Sequence, residues 1–200
     1  MSAGGRAGSA RTTKAGAARV RIRRARIADA AALSRVQRAS VRGLARGAYT
    51  ERQISQWTRL GPLYYRWALG VGGEIAFLAE RDGRVVGFAA LVARPPAEVT
   101  AVFVRPAAAG GGVGSALLAR VEAEARRRGI RRLVVKASLN GVPFYRARGY
   151  DRPRPIRVPL PDGAALDALL LTKGITSART GGGTGSGDSR RARAAAGTGP

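Results

Sequence analysis

A glycine-rich segment is the part of this sequence whose composition and position most clearly suggest chemistry. It reads Val104-Arg105-Pro106-Ala107-Ala108-Ala109-Gly110-Gly111-Gly112-Val113-Gly114-Ser115 and lies between a strand-like run and a helix-like run. Glycines let the backbone turn tightly and approach a ligand without interference from a Cβ atom. The free N–H groups at the start of the helix, with the helix dipole behind them, favour an anion. The segment predicts a phosphate or pyrophosphate site, the alternative being a glycine-rich turn without a ligand.

Two common phosphate-binding motifs do not fit this segment. A P-loop requires G-x-x-x-x-G-K-[ST], and no lysine follows a glycine here. A dinucleotide-binding fingerprint requires G-x-G-x-x-G, yet Leu117 stands where the third glycine belongs. That fingerprint also needs an acidic residue after the next strand, where this chain has Lys136-Ala137-Ser138. Neither motif explains the glycines.

A second motif downstream makes the signal more specific. The chain reads Asn140 and then Phe144-Tyr145-Arg146-Ala147-Arg148-Gly149-Tyr150. Three motifs now follow one another along the chain: Val104-x-Pro106, then Gly110-Gly111-Gly112-Val113-Gly114, then this downstream motif. Their order and their spacing match the pattern of the GNAT superfamily of N-acetyltransferases. The sequence resembles that superfamily over residues 20–173, and the resemblance implies a GNAT-like fold.

The chain departs from the GNAT pattern at one position of the glycine-rich segment. Ala109 stands where the family usually has Gln or Arg, so one side-chain contribution to cofactor binding is missing. The backbone donors of residues 110–114 do not depend on that side chain. We expect binding to survive in weakened form, with Arg105 or the run Arg126–Arg128 compensating electrostatically. Arginines at a helix end are more often a solvated face, which is the alternative for that run.

By this resemblance the co-substrate is acetyl-CoA, and no metal is needed. It would bind in the cleft where the strand at 99–104 diverges from the strand at 133–138, with its pantetheine arm added along the first strand. Its pyrophosphate would lie on the amides at the helix start, and an asparagine would pair with the pantetheine amides or, alternatively, cap a helix. The residues implied for cofactor binding are Phe103, Val104, Gly110, Gly111, Gly112, Val113, Gly114, Ser115 and Asn140.

The reaction that the resemblance implies is direct transfer of an acetyl group to a primary amine. The amine must lose a proton to become a nucleophile, and a proton donor helps the thiolate to depart. Tyr145 matches the family position that often acts as this donor, its alternative being an ordinary packing residue. Glu98 is the expected base, because many family members carry a carboxylate where this strand opens. A surface role for Glu98, a base at Glu74 and a water relay are the alternatives.

The sequence does not identify the acceptor. The first two helices and the segment 61–73 would line its pocket, and they concentrate aromatic residues that suit a partly apolar acceptor, although most of these residues could belong to the core. These residues are Tyr49, Trp57, Tyr64, Tyr65 and Trp67.

Local patterns predict the elements that must position these residues. Thr50-Glu51-Arg52-Gln53 has the spacing of a capping box, and Asp82-Gly83 is a strong hairpin signal. The predicted strands are 20–23, 75–80, 85–92, 99–104, 133–137, 156–158 and 166–172. The predicted helices are 29–42, which Asp29 caps, one that begins at Thr50, 115–128 and 142–148. The segment 61–73 is ambiguous. Together they predict an α/β fold with a mixed sheet in one domain. The resemblance implies that this central sheet is mostly antiparallel and flanked by helices.

Composition bounds the domain organisation and excludes several chemistries. The chain has 200 residues, no Cys and no His, which excludes disulfides, Cys- or His-ligated zinc, a thiol nucleophile and a Ser-His-Asp triad. Residues 1–19 and 176–200 are rich in Gly, Ala, Ser, Thr and Arg and are predicted to be disordered tails around a domain at 20–175. No apolar run suggests a membrane span or a secretory signal, so we expect a cytoplasmic protein.

The net charge leaves competing functions open. A formal charge of +24 attracts polyanions, so a basic nucleic-acid-associated protein is one alternative, although no helix-turn-helix, zinc finger or RRM motif is apparent. A relative that binds CoA without catalysis is another, suggested by Ala109. For an acetyltransferase, charge implies no more than non-specific contact with nucleic acid. A homodimer is an expectation from the resemblance alone.

Overall fold

Seven strands form one mixed sheet in the computed structural model, which describes residues 20–175. The strands are β1 (Arg21–Arg24), β2 (Ile75–Arg81), β3 (Arg84–Val92), β4 (Glu98–Val104), β5 (Arg132–Ser138), β6 (Asp151–Pro159) and β7 (Ala165–Gly174). Their order is β1-β2-β3-β4-β5-β7-β6, and every neighbouring pair is antiparallel except β4 and β5, which are parallel. The predicted fold class is confirmed. The predicted tails, 1–19 and 176–200, lie outside the described residues.

Helices cover both faces of this sheet. They are α1 (Ala30–Leu44), α2 (Glu51–Trp57), α3 (Pro62–Leu69), α4 (Val113–Arg127) and α5 (Val142–Arg146). Alternate residues of β2 point to opposite faces, so Phe77 packs in the cluster with α4, and Leu78 packs in the cluster with α1 and α3. Both faces of the central strands are therefore buried. Within residues 20–175 no helix has the length and hydropathy needed to cross a membrane.

Two local signals of the sequence are confirmed in detail. The Thr50 hydroxyl accepts a hydrogen bond from the Gln53 N–H at 3.2 Å, and the Gln53 side-chain oxygen accepts one from the Thr50 N–H at 2.9 Å, as in a capping box. Asp82 and Gly83 have φ values of +51° and +70° and join β2 to β3. Two successive residues with positive φ are what a tight two-residue hairpin requires.

One other local prediction needs correction, and the structure resolves a segment that the sequence left ambiguous. Asp29 directly precedes α1, but its carboxylate accepts from the Arg26 N–H at 2.7 Å and from the Arg23 guanidinium at 2.8 Å rather than from α1. The ambiguous segment 61–73 contains α3, which begins with Pro62 in its first turn. Proline is favoured there because the first helical N–H has no intrahelical partner.

The edge strand β6 is longer than the pattern at 156–158 predicts. It begins at Asp151 and includes Pro153 and Pro155, whose missing N–H groups are tolerated at the edge of a sheet. Its first five residues are all exposed, so they carry no alternation of apolar and polar residues from which a strand could be predicted.

A register shift in β4 affects the surface on which the site is built. Ala90 of β3 pairs with Ala101, whereas the next residue, Leu91, pairs with Val99. Thr100 is therefore an additional residue without a partner in β3. Such a bulge redirects a side chain and increases the local twist.

Candidate active site

β4 and β5 pair at the start of β4 and then separate. Glu98 pairs with Val134 and Val99 with Val135, and the register between these two strands extends no further. The opposite edge of β5 pairs with β7 along the whole strand. The separation opens a cavity of about 980 Å³ against the free edge of β4, at the upper end of the roughly 300–1,000 Å³ usual for ligand sites. The predicted divergence of the two strands is present.

The glycine-rich segment closes one end of this cavity. Gly110 and Gly112 have φ values of +76° and +78°, a conformation that favours glycine, and Gly112 directly precedes α4. Gly112, Gly114 and Ser115 line the cavity. The unpaired N–H groups of the first turn of α4 therefore lie at the cavity, where the positive end of the helix dipole favours an anion.

Two of the predicted cofactor residues, Gly111 and Val113, do not line the cavity. Gly111 is exposed and does not line it, and a Cβ atom there would lie 3.9 Å from the Arg81 Nη2. The prediction that Gly111 contacts the cofactor is not supported by its position. Val113 is 2% exposed and packs in the core, so its side chain anchors the helix start. Its backbone N–H is the part of Val113 that a ligand could meet.

Gly114 is required by close packing. A Cβ atom at this position would lie 3.2 Å from Phe144 Cε2 and 3.5 Å from Val104 Cγ2. The first turn of α4 thus approaches α5 and the end of β4 as closely as the missing side chain allows. A larger residue would push the phosphate-binding turn away from the strand.

One guanidinium lies beside the first turn of α4. Arg148 donates from Nη1 to the Phe144 carbonyl oxygen at 2.8 Å and from Nη2 to the Ser115 hydroxyl, with its guanidinium carbon 4.0 Å from the centroid of the Phe144 ring. Its Nε is buried and has no hydrogen-bond partner among the described residues. Arg148 lines the cavity, so a fixed positive charge adds to the helix dipole there.

The arginines expected to offset the missing side chain of the glycine-rich segment are engaged elsewhere. Arg105 donates from Nε to the Val85 carbonyl oxygen at 3.0 Å and does not line the cavity. The run 126–128 forms ion pairs with Glu122 and Glu124 at the C-terminal end of α4, roughly 20 Å from the first turn of that helix. Neither set lines the cavity, so a direct contact of these arginines with the co-substrate is not supported, and the alternative of a helix-end face fits the run 126–128 better.

Tyr145 lines the cavity from α5 and is 7% exposed. Its ring packs edge-to-face against Phe144 and Tyr150, with centroid distances of 5.0 and 5.5 Å. Burial raises the pKa of the Tyr145 hydroxyl above its usual value. The hydroxyl is therefore protonated at neutral pH and is able to donate a proton or a hydrogen bond into the cavity.

Asn140 connects the cavity to the end of α1. Its Nδ2 donates to the Leu44 carbonyl oxygen at 3.0 Å, across 96 positions of the chain, while the residue also lines the cavity. The amide thus satisfies a carbonyl group in the last turn of α1, a capping contact that sequence spacing does not reveal.

Two carboxylates lie at the other end of the cavity, where β4 begins. Glu98 forms an ion pair with Lys136, with 3.2 Å between Oε2 and Nζ. Glu74, just before β2, is half-buried and lines the cavity. Burial raises the pKa of Glu74, a hydrogen bond from Thr100 opposes this shift, and the negative charge of Glu98 adds to it. The bulge residue Thr100 thus faces one of the carboxylates.

The aromatic residues of the predicted acceptor pocket separate into two groups. Tyr64 and Trp67 line the cavity and are 38% and 55% exposed. Tyr65 does not line the cavity: it is 3% exposed and packs on Phe88 with a centroid distance of 5.6 Å. Because α3 is amphipathic, Tyr65 faces the core while Tyr64, the residue next to it, faces the cavity.

Tyr49 and Trp57 also line the cavity, but Tyr49 is engaged structurally. Its hydroxyl donates to the Asp167 carbonyl oxygen at 2.7 Å and accepts from the Leu139 N–H at 2.9 Å. Tyr49 therefore connects β7 to the segment before α5.

Comparison with known proteins identifies the family. The model of the Acetyltransferase (GNAT) family matches residues 39–150. The chain belongs to this family. A solved GCN5-related N-acetyltransferase from Rhodopseudomonas palustris is similar to this GNAT protein with a TM-score of 0.71 and 29% identity, covering 77% of this chain and 94% of the other. The PaiA N-acetyltransferase of Thermoplasma acidophilum, solved with coenzyme A, shares the fold at a TM-score of 0.63 and 21% identity, covering 78% and 99%.

A curated relative with a named acceptor matches part of this GNAT chain. The IAA acetyltransferase of Azospirillum brasilense is 35% identical in an alignment of 100 residues that covers 46% of this chain. The chain covers 65% of the length of that relative. A third solved structure, a phosphinothricin acetyltransferase from Sinorhizobium meliloti with acetyl-CoA, has a TM-score of 0.60 and 21% identity, covering 82% and 93%.

Sequence reasoning on this GNAT protein missed Arg148 and Thr100 as residues of the cavity. Arg148 lies between Tyr145 and Gly149 of the downstream motif, at a position where the family pattern allows any residue, so the motif gives no signal for it. Thr100 faces the cavity because of a bulge, which depends on the pairing of β3 with β4. Neither feature could be found from spacing along the chain.

Proposed function

We propose that this protein is an N-acetyltransferase that transfers the acetyl group of acetyl-CoA directly to a primary amine of a small molecule, peptide or protein. One observation carries the proposal: a single cavity extends from the first turn of α4 to the carboxylates of Glu74 and Glu98. One end suits phosphate and the other suits an amine. β4 connects them over seven residues, a span of about 20 Å.

The glycine-rich end fits a strongly anionic co-substrate. The N–H groups of the first turn of α4 and the guanidinium of Arg148 supply donors and positive charge to a pyrophosphate. The free edge of β4 at Phe103 and Val104 offers backbone groups to an extended pantetheine arm. Similar structures solved with coenzyme A support the same co-substrate.

The residues between the two ends support direct transfer. Acetyl-CoA supplies the acetyl group as a thioester. Glu98, directly or through water, accepts the proton that the acceptor amine must lose, and Tyr145 donates its hydroxyl proton towards the departing sulfur. Burial raises the pKa of Tyr145, which keeps this proton in place at neutral pH. The chain contains no Cys, so no thiol of the protein is available to carry the acetyl group.

The similar proteins do not select an acceptor. They are named for unlike acceptors, among them IAA and phosphinothricin. The acceptor of this chain therefore has to be inferred from the residues at the carboxylate end.

Other expectations from the sequence form part of the proposal. A cytoplasmic location is expected because no apolar run in the sequence suggests a membrane span, and a homodimer is expected from the resemblance. The formal charge of +24 supports non-specific contact with nucleic acid. Such contact would weaken steeply with added salt, which a DNA-binding titration at several salt concentrations measures.

The proposal is tested by calorimetric titration with acetyl-CoA, CoA and ATP at moderate salt. We expect acetyl-CoA and CoA to bind saturably and at least tenfold more tightly than ATP, because ATP offers phosphate charge without a pantetheine arm for β4. Release of thiol with amine acceptors then measures turnover.

Two results would point to the alternatives. Equal, weak and salt-sensitive binding of all three ligands would favour a protein that recognises phosphate charge alone. Tight binding of acetyl-CoA without thiol release for any class of amine would favour a relative that binds CoA but does not transfer.

Replacement of Arg148 tests the anionic end of the site. We expect Arg148→Gln to weaken CoA binding about tenfold and to reduce its salt dependence, because a fixed charge beside the first turn of α4 is lost. Calorimetry at two salt concentrations measures both effects.

Arg146→Gln is the matched control for this experiment. Arg146 is also on α5, but it is exposed and does not line the cavity. If both variants weaken binding equally, the effect comes from the net charge of the protein, and Arg148 has no special part in the site.

A further inference from the structure

Among residues 20–175, Glu74 is the one acidic residue that is shielded from solvent and yet forms no ion pair. Within residues 20–175, Glu74, Asp82 and Asp151 form no ion pair. Asp82 and Asp151 are exposed, whereas Glu74 is half-buried and lines the cavity. The chain has 36 Lys and Arg residues, so counter-charges are abundant. A carboxylate removed from water without one costs free energy, which a cationic ligand would offset.

Two of the three cations that line the cavity, Lys136 and Arg94, have other partners, and the third, Arg148, lies at the glycine-rich end. Lys136 pairs with Glu98 at 3.2 Å. Arg94 donates from Nη1 to the Gly72 carbonyl oxygen at 3.4 Å and forms no ion pair with Glu74. Neither residue neutralises Glu74, so its charge is available to a ligand.

The surroundings of Glu74 are preorganised for a small cation. Thr100, the bulge residue of β4, lines the cavity together with Glu74 and acts to lower the pKa of its carboxyl, against the larger effect of burial. Burial is the main cause that raises the pKa of the Tyr64 phenol, and the negative charges of Glu74 and Glu98 raise it further. Tyr64 therefore lies close to both carboxylates. Glu74, Glu98, Thr100 and Tyr64 therefore share one polar environment beside the start of β4.

An aromatic surface lies next to this environment. Tyr64 and Trp67, one turn apart on α3, have ring centroids 6.2 Å apart and line the cavity. Both rings are partly exposed. Exposed aromatic faces pack well against flat apolar groups and attract ammonium ions.

We propose that the acceptor enters as an ammonium ion whose charge is bound by Glu74, and that it carries an aromatic or other bulky apolar group which rests on Tyr64 and Trp67. This inference rests on the proposed acetyltransferase function and specifies the acceptor of the same site. The ammonium supplies the counter-charge that Glu74 lacks, and the two rings bind the body of the molecule. Glu98 remains the group that accepts the proton from the amine.

The test compares two probes of equal shape and different charge. 2-Phenylethylamine and 2-phenylethanol are titrated into the full-length protein in the presence of CoA, and ligand-observed NMR gives both affinities. We expect the wild-type protein to bind the amine at least tenfold more tightly than the alcohol. Glu74→Gln should weaken amine binding about tenfold and leave alcohol binding unchanged, because the charge is removed while the shape is kept.

Two further variants separate the parts of the site. Trp67→Ala should weaken both probes, because the aromatic surface binds the ring they share. Glu51→Gln is the control: Glu51 is an exposed carboxylate paired with Arg46 outside the cavity, and its loss should change neither affinity.

The inference is overturned if the wild-type protein binds the two probes equally, or if Glu74→Gln keeps the full preference for the amine. The wild-type comparison decides the matter even if Glu74→Gln does not fold. Acetyl-CoA affinity is measured on the same samples. A wild-type protein that binds acetyl-CoA normally but shows no preference for the amine refutes this inference alone, whereas absence of acetyl-CoA binding by the wild-type protein refutes the proposed function.

Discussion

Gly114→Val should abolish binding of acetyl-CoA, with an affinity loss of about a hundredfold or more, while the sheet remains folded. The Cβ atom alone would lie 3.2 Å from Phe144 Cε2 and 3.5 Å from Val104 Cγ2, and valine adds two methyl groups. Either the first turn of α4 moves away from β4, or Phe144 and the stacked Arg148 are displaced. Both movements disrupt the phosphate-binding donors. Calorimetry with acetyl-CoA and circular dichroism measure binding and folding separately.

The same loop offers a matched control for Gly114→Val. Gly111 has no positive φ, is exposed, and a Cβ atom there would make ordinary contacts, at 3.7 Å to the Ala108 carbonyl oxygen. Gly111→Ala should therefore bind acetyl-CoA within about threefold of the wild-type affinity. Normal binding by Gly114→Val would show that the glycine-rich segment is not the cofactor site.

Tyr145→Phe should lower kcat about a hundredfold and leave the affinity for acetyl-CoA within about threefold of the wild-type value. The buried ring keeps its packing against Phe144 and Tyr150, since only the hydroxyl is removed. Steady-state thiol release gives kcat, and calorimetry gives the affinity. An unchanged kcat would remove Tyr145 from the proton transfer and leave it as a packing residue.

Tyr150→Phe is the control for this prediction. Tyr150 is fully buried next to Tyr145 but does not line the cavity. Its hydroxyl should have no effect on kcat. A similar loss in both variants would indicate that kcat responds to the packing of α5, because the two rings are in contact.

Short-range signals were sufficient for much of the fold. The capping box at Thr50 and the hairpin at Asp82-Gly83 depend on backbone geometry within four residues, so the sequence determines them locally. Gly110 and Gly112 adopt positive φ values, a conformation that favours glycine, in the turn before α4. Element bounds were less well determined, as in β6, where exposed residues carry no periodic pattern.

The tertiary structure decided which charges and rings face the site. The sequence suggested Arg105 and the run 126–128 as charges near the co-substrate, whereas packing places Arg148, which the sequence did not indicate, at the cavity. In the same way, Tyr64 faces the cavity while its neighbour Tyr65 is in the core.

The residue pattern was sufficient to predict the family resemblance and the glycine-rich turn, because their motif residues stand at fixed spacings along the chain. The α/β fold class followed from the succession of strand-like and helix-like patterns. The bulge at Thr100 and, within residues 20–175, the lack of an ion pair at Glu74 became visible only in the folded structure. Strand register and ion pairing depend on residues that are distant in sequence and compete for the same neighbours, so their outcome is fixed only when the sheet has formed.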